Sequence, residues 1–202
     1  DAQGRFKVLK TEKDQTRLGS ALDERQCFTQ GTLTKVANVL SRMKQVADSY
    51  KAEIRAVGTH AMREAKNGSE FCNKLFKRCG VSVEIISGHE EARLVYLGVQ
   101  KDLELSNKPT LVCDIGGGSV ELLVGQWGEE SFATSLKLGC VHLTKEYLGA
   151  DPVSDSELYA LDKYIHSRLE PVLTELRRVG FAQAVGTSGT IKAVKSVSLG
   201  LK

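Results

Sequence analysis

The chain has 202 residues, of which 41% are hydrophobic and 26% charged, and its formal net charge is +3. It is long enough for one large domain or two small ones, and its composition is that of an ordinary globular protein. Basic residues form no run interleaved with aromatic ones, and no apolar stretch approaches the roughly 18 residues of a membrane span. We therefore expect no nucleic-acid partner and no membrane partner.

The cysteines point to a reducing compartment. There are five of them, an odd number, and no two form a C-x-x-C pair. This pattern predicts free thiols rather than a disulfide framework or a zinc site. The opening residues also lack the pattern of a signal peptide. We therefore expect a cytoplasmic location.

The first half of the sequence predicts alternating helices and strands. Polar and apolar residues alternate over 5–11 and 14–19, which predicts a hairpin. The segment 32–50 carries an apolar face at helical spacing, which predicts a helix. The further elements predicted in this half are strands at 53–58 and 81–86 and helices at 69–79 and 89–103. The helix at 69–79 is expected to begin at a Ser69 cap, to end at Gly80 and to bury Phe71, Leu75 and Phe76.

The polar segment 104–109 is the predicted hinge between a first domain, 1–103, and a second, 104–202. The strands predicted after it follow one another closely, which indicates an antiparallel meander. The predicted strands of this half are 110–115, 119–125, 130–138 and 181–186, and its shorter predicted helices are 140–149 and 188–200. A long helix is predicted from a cap at Ser154 or Asp155 to about Arg178, and it is expected to be kinked or broken near Pro171. The order predicts an α/β fold with helices covering mixed sheets.

The stretch VCDIGGGSVELLVG, residues 112–125, places three glycines between two β-like segments. Glycine weakens a strand interior, so the stretch needs a turn or a closely approaching ligand. It lacks the lysine of a Walker loop and the helix of a dinucleotide-binding turn. The bare backbone of Gly116, Gly117 and Gly118 could cradle a phosphate. A plain hairpin with a glycine-rich turn is the alternative.

Two carboxylates flank these glycines. Asp114 enters the turn, and Glu121 leaves it on the same face of the outgoing strand as Ser119. Carboxylates beside a phosphate site suit a hydrated Mg²⁺ ion that completes its shell with phosphate oxygens. The sequence therefore predicts Asp114 and Glu121 as metal ligands.

A second glycine turn occurs in VGTSGTIKAV, residues 185–194. Here a strand is followed by a predicted helix, whose N-terminal amides favour an anion. Gly189 and Thr190 are the candidate phosphate-binding residues of this turn. Ordinary helix capping is the alternative.

Three charged side chains near predicted helix starts are further candidates. Glu90 and Glu91 lie in a first helical turn, where they are either partners of the helix dipole or include a general base. The residues by themselves leave open which glutamate would act. Arg63 is either a phosphate clamp or a solvated surface arginine. His60 fits a structural role.

Four stretches, GTHAMREAKN, SGHEEARLVYLGV, CDIGGGSVELLVG and GTSGTIKA, occur in this order and together resemble the exopolyphosphatase/guanosine pentaphosphate phosphatase (Ppx/GppA) family of the actin and sugar-kinase superfamily. The resemblance runs from about Arg17 to Val194. It implies two ribonuclease-H-like, actin-like ATPase domains with the active site in the cleft between them. It also implies Mg²⁺-dependent hydrolysis of the terminal phosphoanhydride of polyphosphate or of guanosine pentaphosphate (pppGpp), which yields the tetraphosphate.

The resemblance also assigns roles to residues. It implies Glu91, rather than Glu90, as the base for the attacking water, and Arg63 as a catalytic arginine of the cleft. The residues that match the family's two phosphate loops and its metal site are Asp114, Gly116, Ser119, Glu121, Gly189 and Thr190.

The chain departs from the family pattern at both ends. The family's first phosphate loop, D-x-G-[ST]-N-[ST], is not found in it, and the sequence stops soon after GTSGT. We therefore expect both domains to be incomplete in this span, and the span alone to be weakly active or inactive. The sequence leaves open a homodimer, and two other functions: a non-catalytic module that binds polyphosphate or guanosine phosphates, and an actin-like ATPase or kinase.

Overall fold

The computed structural model describes residues 8–14, 16–103, 105 and 107–200. The described residues form two compact units. One contains the residues up to Val57 together with Ala65–Glu84, and the other contains Gly58–Glu64 together with the residues from Ile85 onward. None of the helices in this part of the chain combines the length and the hydropathy that crossing a membrane requires. The domain division at residues 103 and 104 stays a prediction.

The first unit is built on two helices, α1 (Gln30–Ser49) and α3 (Gly68–Cys79). The ring centroids of Phe28 and Phe71 lie 4.4 Å apart, and both side chains are buried. The side-chain amide of Asn67 accepts from the backbone N–H of Phe28 and donates to its carbonyl, each at 2.9 Å. This pair of hydrogen bonds fixes the segment before α1 against the start of α3.

Short elements carry the chain between the units. Strands β1 (Ala56–Gly58) and β2 (Val83–Ile85) form a two-stranded sheet, and the division between the units passes through both. Helix α2 (His60–Glu64) follows β1 and buries Met62. Helix α2 is only five residues long, too short for a periodic sequence signal, and it was not predicted.

The second unit is built on a four-stranded sheet of order β5-β4-β3-β6. The strands are antiparallel except for β3 and β6, which are parallel, so the predicted meander is confirmed. The strands of this sheet are β3 (Thr110–Ile115), β4 (Val120–Gln126), β5 (Glu129–Leu136) and β6 (Gln183–Thr187). The helices of this unit, besides α2, are α4 (Gly88–Leu103), α5 (Cys140–Tyr147), α6 (Asp155–Val179) and α7 (Ser188–Ser198).

Both faces of this sheet are covered. On one face Ala92, Tyr96 and Val99 of α4 pack with Val112 and Leu123 of the sheet. The other face packs against α5 and α6, and the buried residues of this layer are Val120, Leu122, Val124, Leu138, Leu143 and Leu176. Strand β4 therefore alternates between two buried layers, which explains why all its residues from Val120 to Gly125 except Glu121 are apolar.

Several predictions about local structure are wrong. The described part of the predicted hairpin contains no strand, and only a 3₁₀ turn at Leu18–Ser20 forms there. Residues 5–7 and Gln15 of that hairpin, and Glu104 and Ser106 of the hinge, lie outside the described residues. Two short segments offer too little apolar surface for a hairpin to be stable by itself.

Two helices also differ in detail from the prediction. Helix α3 begins after Asn67 rather than at a Ser69 cap, and Phe76 is 56% exposed because it lies off the face defined by Phe71 and Leu75. Helix α6 runs unbroken through Pro171. Its predicted Ser154 cap is confirmed as a capping box with Glu157.

Candidate functional site

The turn between β3 and β4 directs its N–H groups away from helix α5. The carbonyls of Gly116, Gly117 and Gly118 accept hydrogen bonds of 3.1, 3.0 and 3.2 Å from backbone N–H groups at the start of α5. In a trans peptide, a carbonyl and the next residue's N–H point in opposite directions. The N–H groups of Gly117, Gly118 and Ser119 therefore face the other side, where no carbonyl of the described residues accepts from them. Successive N–H groups in this arrangement suit an anion.

Protein atoms fill the space beside two of these glycines. A Cβ on Gly118 would lie 1.9 Å from Cδ2 of His60, and one on Gly117 would lie 3.3 Å from Cγ2 of Val141. A Cβ on Gly139 would in turn lie 2.3 Å from the backbone of Gly118. The missing side chains thus make room for the protein itself, whereas the sequence suggested room for a phosphate. That the N–H groups bind phosphate stays a prediction.

The two predicted metal ligands face each other across the strand pair. Asp114 is the register partner of Glu121, so their side chains lie on the same face of the sheet, the face that α4 covers. Glu121 is only 2% exposed, and Ser119 beside it is also buried. The hydroxyl of Ser135 donates to Oε1 of Glu121 at 2.8 Å. The hydroxyl of Thr187 donates to Oδ1 of Asp114 at 2.6 Å.

The Glu121 carboxyl has a perturbed pKa. Burial raises its pKa above the ordinary value, and the negative charges of Glu91 and Asp114 raise it further. The hydroxyls of Ser119 and Ser135 oppose this shift. The negative charges of two other carboxylates therefore act on Glu121, an arrangement that a bound cation would stabilise.

The two first-turn glutamates of α4 have different partners. Oε2 of Glu91 accepts from Arg63 at 2.8 Å, and both side chains are mostly buried. The same guanidinium nitrogen donates to the carbonyl of Ile86 at 2.9 Å, which fixes the arginine. Glu90 instead forms a bidentate pair with Arg93 on the helix surface. The structure thus brings the predicted base and the predicted arginine together and leaves Glu90 in a local pair.

The turn between β6 and α7 does not cap its helix in the ordinary way. Thr187 occupies the N-cap position, yet its side chain makes no cap hydrogen bond because it is bound to Asp114. Ser188 adopts a left-handed φ of 77° and donates to the carbonyl of Ile115 at 2.9 Å. A Cβ on Gly189 would meet no atom within 4 Å, so packing does not require glycine there. The first-turn amides near Gly189 and Thr190 keep the anion-binding potential of a helix N-terminus.

His60 is more closely integrated into the site than its sequence context indicated. Its ring covers Gly118, and burial lowers the pKa of the imidazole below its ordinary value, while the charge of Glu64 opposes that shift. Glu64 forms an ion pair with Lys137. The interpretation of His60 as a structural residue therefore agrees with its packing on the turn.

The residues of the carboxylate pair fit a divalent cation. Glu121 is buried, and no salt bridge of the described residues includes Asp114 or Glu121. Within the described ranges, no group of three or more His, Cys, Asp or Glu side chains is arranged to hold a metal ion by itself. A cation held here would therefore complete its shell with water and phosphate oxygens, as Mg²⁺ commonly does.

Sequence reasoning missed Ser135 and Gly88 as parts of the site, and it expected the Thr187 hydroxyl to donate to an anion rather than to Asp114. A Cβ on Gly88 would lie 2.4 Å from Cβ of Ser135, so this glycine lets the start of α4 pack on β5. The hydroxyls of Ser135 and Thr187 carry no local sequence signal, because their partners lie 14 and 73 residues away along the chain. Only the strand register brings them to the carboxylates.

The sheet, with helices on both faces and glycine turns after β3 and after β6, defines an α/β protein, as predicted. Residues 1–201 match the Ppx/GppA phosphatase family, and the chain belongs to that family. The chain is 30% identical over 200 residues to a guanosine-5'-triphosphate,3'-diphosphate pyrophosphatase of Photobacterium profundum. It is 32% identical over 197 residues to the protein of that name from Vibrio vulnificus. The alignments cover 98% and 97% of this chain, but only 40% and 39% of the two relatives.

Solved structures of the family confirm the predicted fold class. An Aquifex aeolicus Ppx/GppA family member is 30% identical, with a TM-score of 0.71 over 91% of this chain and 58% of its own. An exopolyphosphatase from Cytophaga hutchinsonii is 25% identical, with a TM-score of 0.85 over 95% of this chain and 62% of its own. The chain therefore spans about two fifths of the curated relatives and about three fifths of the solved chains.

Proposed function

We propose that the protein containing this chain hydrolyses the terminal phosphoanhydride of inorganic polyphosphate, or of pppGpp to give ppGpp, in the cytoplasm. The relatives bear the names of a guanosine pentaphosphate pyrophosphatase and of an exopolyphosphatase. The two substrates share the same terminal anhydride, so one site serves either.

The observation that carries the proposal is the placement of Glu91. It lies one helical turn after Gly88, which packs on Ser135, the hydrogen-bond partner of Glu121. Its negative charge contributes to the raised pKa of the buried Glu121 carboxyl. Arg63 holds the Glu91 carboxylate in one orientation. A general base must be positioned in this way beside the reacting phosphate.

In the proposed reaction, the N–H groups of Gly117, Gly118 and Ser119 hold the terminal phosphate, and those near Gly189 and Thr190 hold a neighbouring one. Glu91 accepts the proton of a water whose oxygen attacks the terminal phosphorus. The bond from that phosphorus to the bridging oxygen breaks, and the shortened chain leaves with the bonding electrons. Asp114 and Glu121 would hold Mg²⁺, which supplies charge neutralisation to the phosphate oxygens when bound.

The test is the Glu91→Gln variant of the full-length protein, with Glu90→Gln as its matched control in the same helical turn. We expect Glu91→Gln to lower kcat by about 10²–10⁴-fold, the usual contribution of general-base catalysis, with phosphate binding retained. Glu90→Gln should remain within about twofold of the wild type, since its loss removes only a surface pair with Arg93.

Phosphate release would be measured with long-chain polyphosphate and with pppGpp in the presence of Mg²⁺. A Glu91→Gln variant with near-normal turnover would contradict the assignment of the base. Tight binding of both substrates without turnover in the wild type would favour the non-catalytic binding module. The ratio of the two rates gives the substrate preference.

A further inference from the structure

A row of four polar side chains crosses the whole four-stranded sheet of the second unit. Ser135 on β5 is the register partner of Glu121 on β4, Glu121 that of Asp114 on β3, and Asp114 that of Thr187 on β6. Register partners place their side chains on the same face of a sheet. The carboxylate pair is therefore flanked by one hydroxyl on each side.

Ser135 links Glu121 to the helix that carries Glu91. Its hydroxyl donates to Glu121 at 2.8 Å, and its Cβ lies against Gly88 at the start of α4. A serine hydroxyl held between a strand and a helix terminus has little rotational freedom. It compensates the buried Glu121 carboxylate for the loss of hydration.

The Thr187 hydroxyl donates to Asp114 instead of capping its own helix. A threonine at an N-cap ordinarily stabilises a helix by about 1 kcal/mol through a side-chain bond to the first turn. Thr187 has N-cap backbone angles but makes no such bond, and it donates to Asp114 at 2.6 Å instead. The left-handed Ser188 beside it is tied to Ile115 and holds this geometry.

We propose that Ser135 and Thr187 are positioning residues for the cation held by Asp114 and Glu121. Each hydroxyl binds one carboxylate oxygen and fixes the rotamer of its partner, so the two carboxylates are set for a cation before it arrives. This inference rests on the proposed function for the identity of the site, and metal binding tests it independently of turnover.

The experiment measures Mn²⁺ and Mg²⁺ affinity by calorimetry on the full-length protein without substrate. The Ser135→Ala and Thr187→Val variants are expected to bind these ions about 10–100-fold more weakly, the usual effect of removing a hydrogen-bond partner of a metal ligand. Ser135→Thr and Thr187→Ser restore a hydroxyl and should recover most of the affinity. Ser167→Ala, which removes an exposed hydroxyl of α6, is the control and should not change affinity.

Glu91→Gln separates this inference from the proposed function: it should lower kcat by about 10²–10⁴-fold, but it leaves both metal ligands and their hydroxyl partners in place, so metal affinity should fall less than in Ser135→Ala. Unchanged metal affinity in both Ser135→Ala and Thr187→Val would overturn the inference even if the wild-type protein is an active phosphatase. A loss in Ser135→Thr as large as in Ser135→Ala would also overturn it. Thermal unfolding of each variant shows whether a loss of affinity comes from a loss of fold.

Discussion

The turn after β3 and the turn after β6 meet at the same end of the sheet, and a Cβ placed on Gly118 encounters opposite surroundings to one placed on Gly189. At Gly118 it would lie within the ring of His60, and at Gly189 it would meet no atom. Both turns contain glycine beside hydroxyl residues, so their sequences look alike. Packing requires glycine at position 118, whereas neither packing nor a positive φ requires it at position 189. Glycine is thus a sign of a ligand only where the protein itself leaves the space open.

Gly118→Ala should have the largest effect on stability. The new methyl group would overlap the His60 ring, and overpacking of this kind lowers the free energy of unfolding by about 1–3 kcal/mol. Urea unfolding measures the change. Gly98→Ala is the matched control. Gly98 lies inside α4 and a Cβ there would meet no atom within 4 Å, so this variant should be more stable than the wild type by about 0.5–1 kcal/mol.

The His60→Ala/Gly118→Ala double variant identifies the cause. If the clash with His60 is responsible, Gly118→Ala should lower the free energy of unfolding much less in the His60→Ala background than in the wild type. An equal cost in both backgrounds would show that the imidazole is not what requires glycine in the first turn.

The strand that leaves the first turn gives a pH-dependent effect. Because the pKa of Glu121 is raised in the folded state, stability is highest below the unfolded value of 4.5 and falls as the pH rises through the raised pKa. The Glu121→Gln variant should lack this decrease in stability with rising pH, and it should be more stable than the wild type at pH 7. It should also lose metal affinity. Urea unfolding between pH 4 and 8 measures it. A Glu121→Gln curve parallel to the wild-type curve would contradict the buried carboxylate.

Glu157, in the capping box of α6, is the control of opposite sign. Its hydrogen bonds to Ser154 and to the backbone of Gly149 and Ala150 lower its pKa to about 2. The stability it contributes is present above pH 4.5 and is lost as the pH falls toward 2. Glu157→Gln should therefore be less stable than the wild type at pH 5–8, and the free energies of unfolding of the two proteins should converge near pH 2.

Gly189→Ala should have the smallest effect on stability and a clear one on substrate binding. The free energy of unfolding should change by less than about 1 kcal/mol, since the methyl group meets only open space. The KM for polyphosphate or pppGpp should rise about tenfold, because the new methyl group would occupy the open space proposed for the phosphate and so weaken a hydrogen bond to a charged group, which is worth about 1.5 kcal/mol. Steady-state kinetics of the full-length protein measures the KM. An unchanged KM would mean that the second turn, like the first, has its glycine for a reason other than a ligand.

The long elements were predictable because each carries its own periodic signal. Helices α1, α4 and α6 and strands β3, β4 and β5 occur close to their predicted positions. The predictions that are wrong concern elements whose stability depends on a partner: the hairpin before α1, the Ser69 cap and the burial of Phe76. Asn67 illustrates the reason, since its side chain binds Phe28, 39 residues away, and not its own helix.

The sequence by itself determined the α/β order, the two glycine turns and the candidate groups Asp114, Glu121 and one of Glu90 and Glu91, because residue type and short-range spacing encode these features; the family resemblance then selected Glu91. The tertiary structure alone decided which groups meet. The parallel pairing of β3 with β6 brings Thr187 to Asp114, and the packing of α4 on β5 brings Glu91 near Glu121. These contacts depend on strand register and helix docking, which are set by burial of apolar faces over the whole unit and have no local signature.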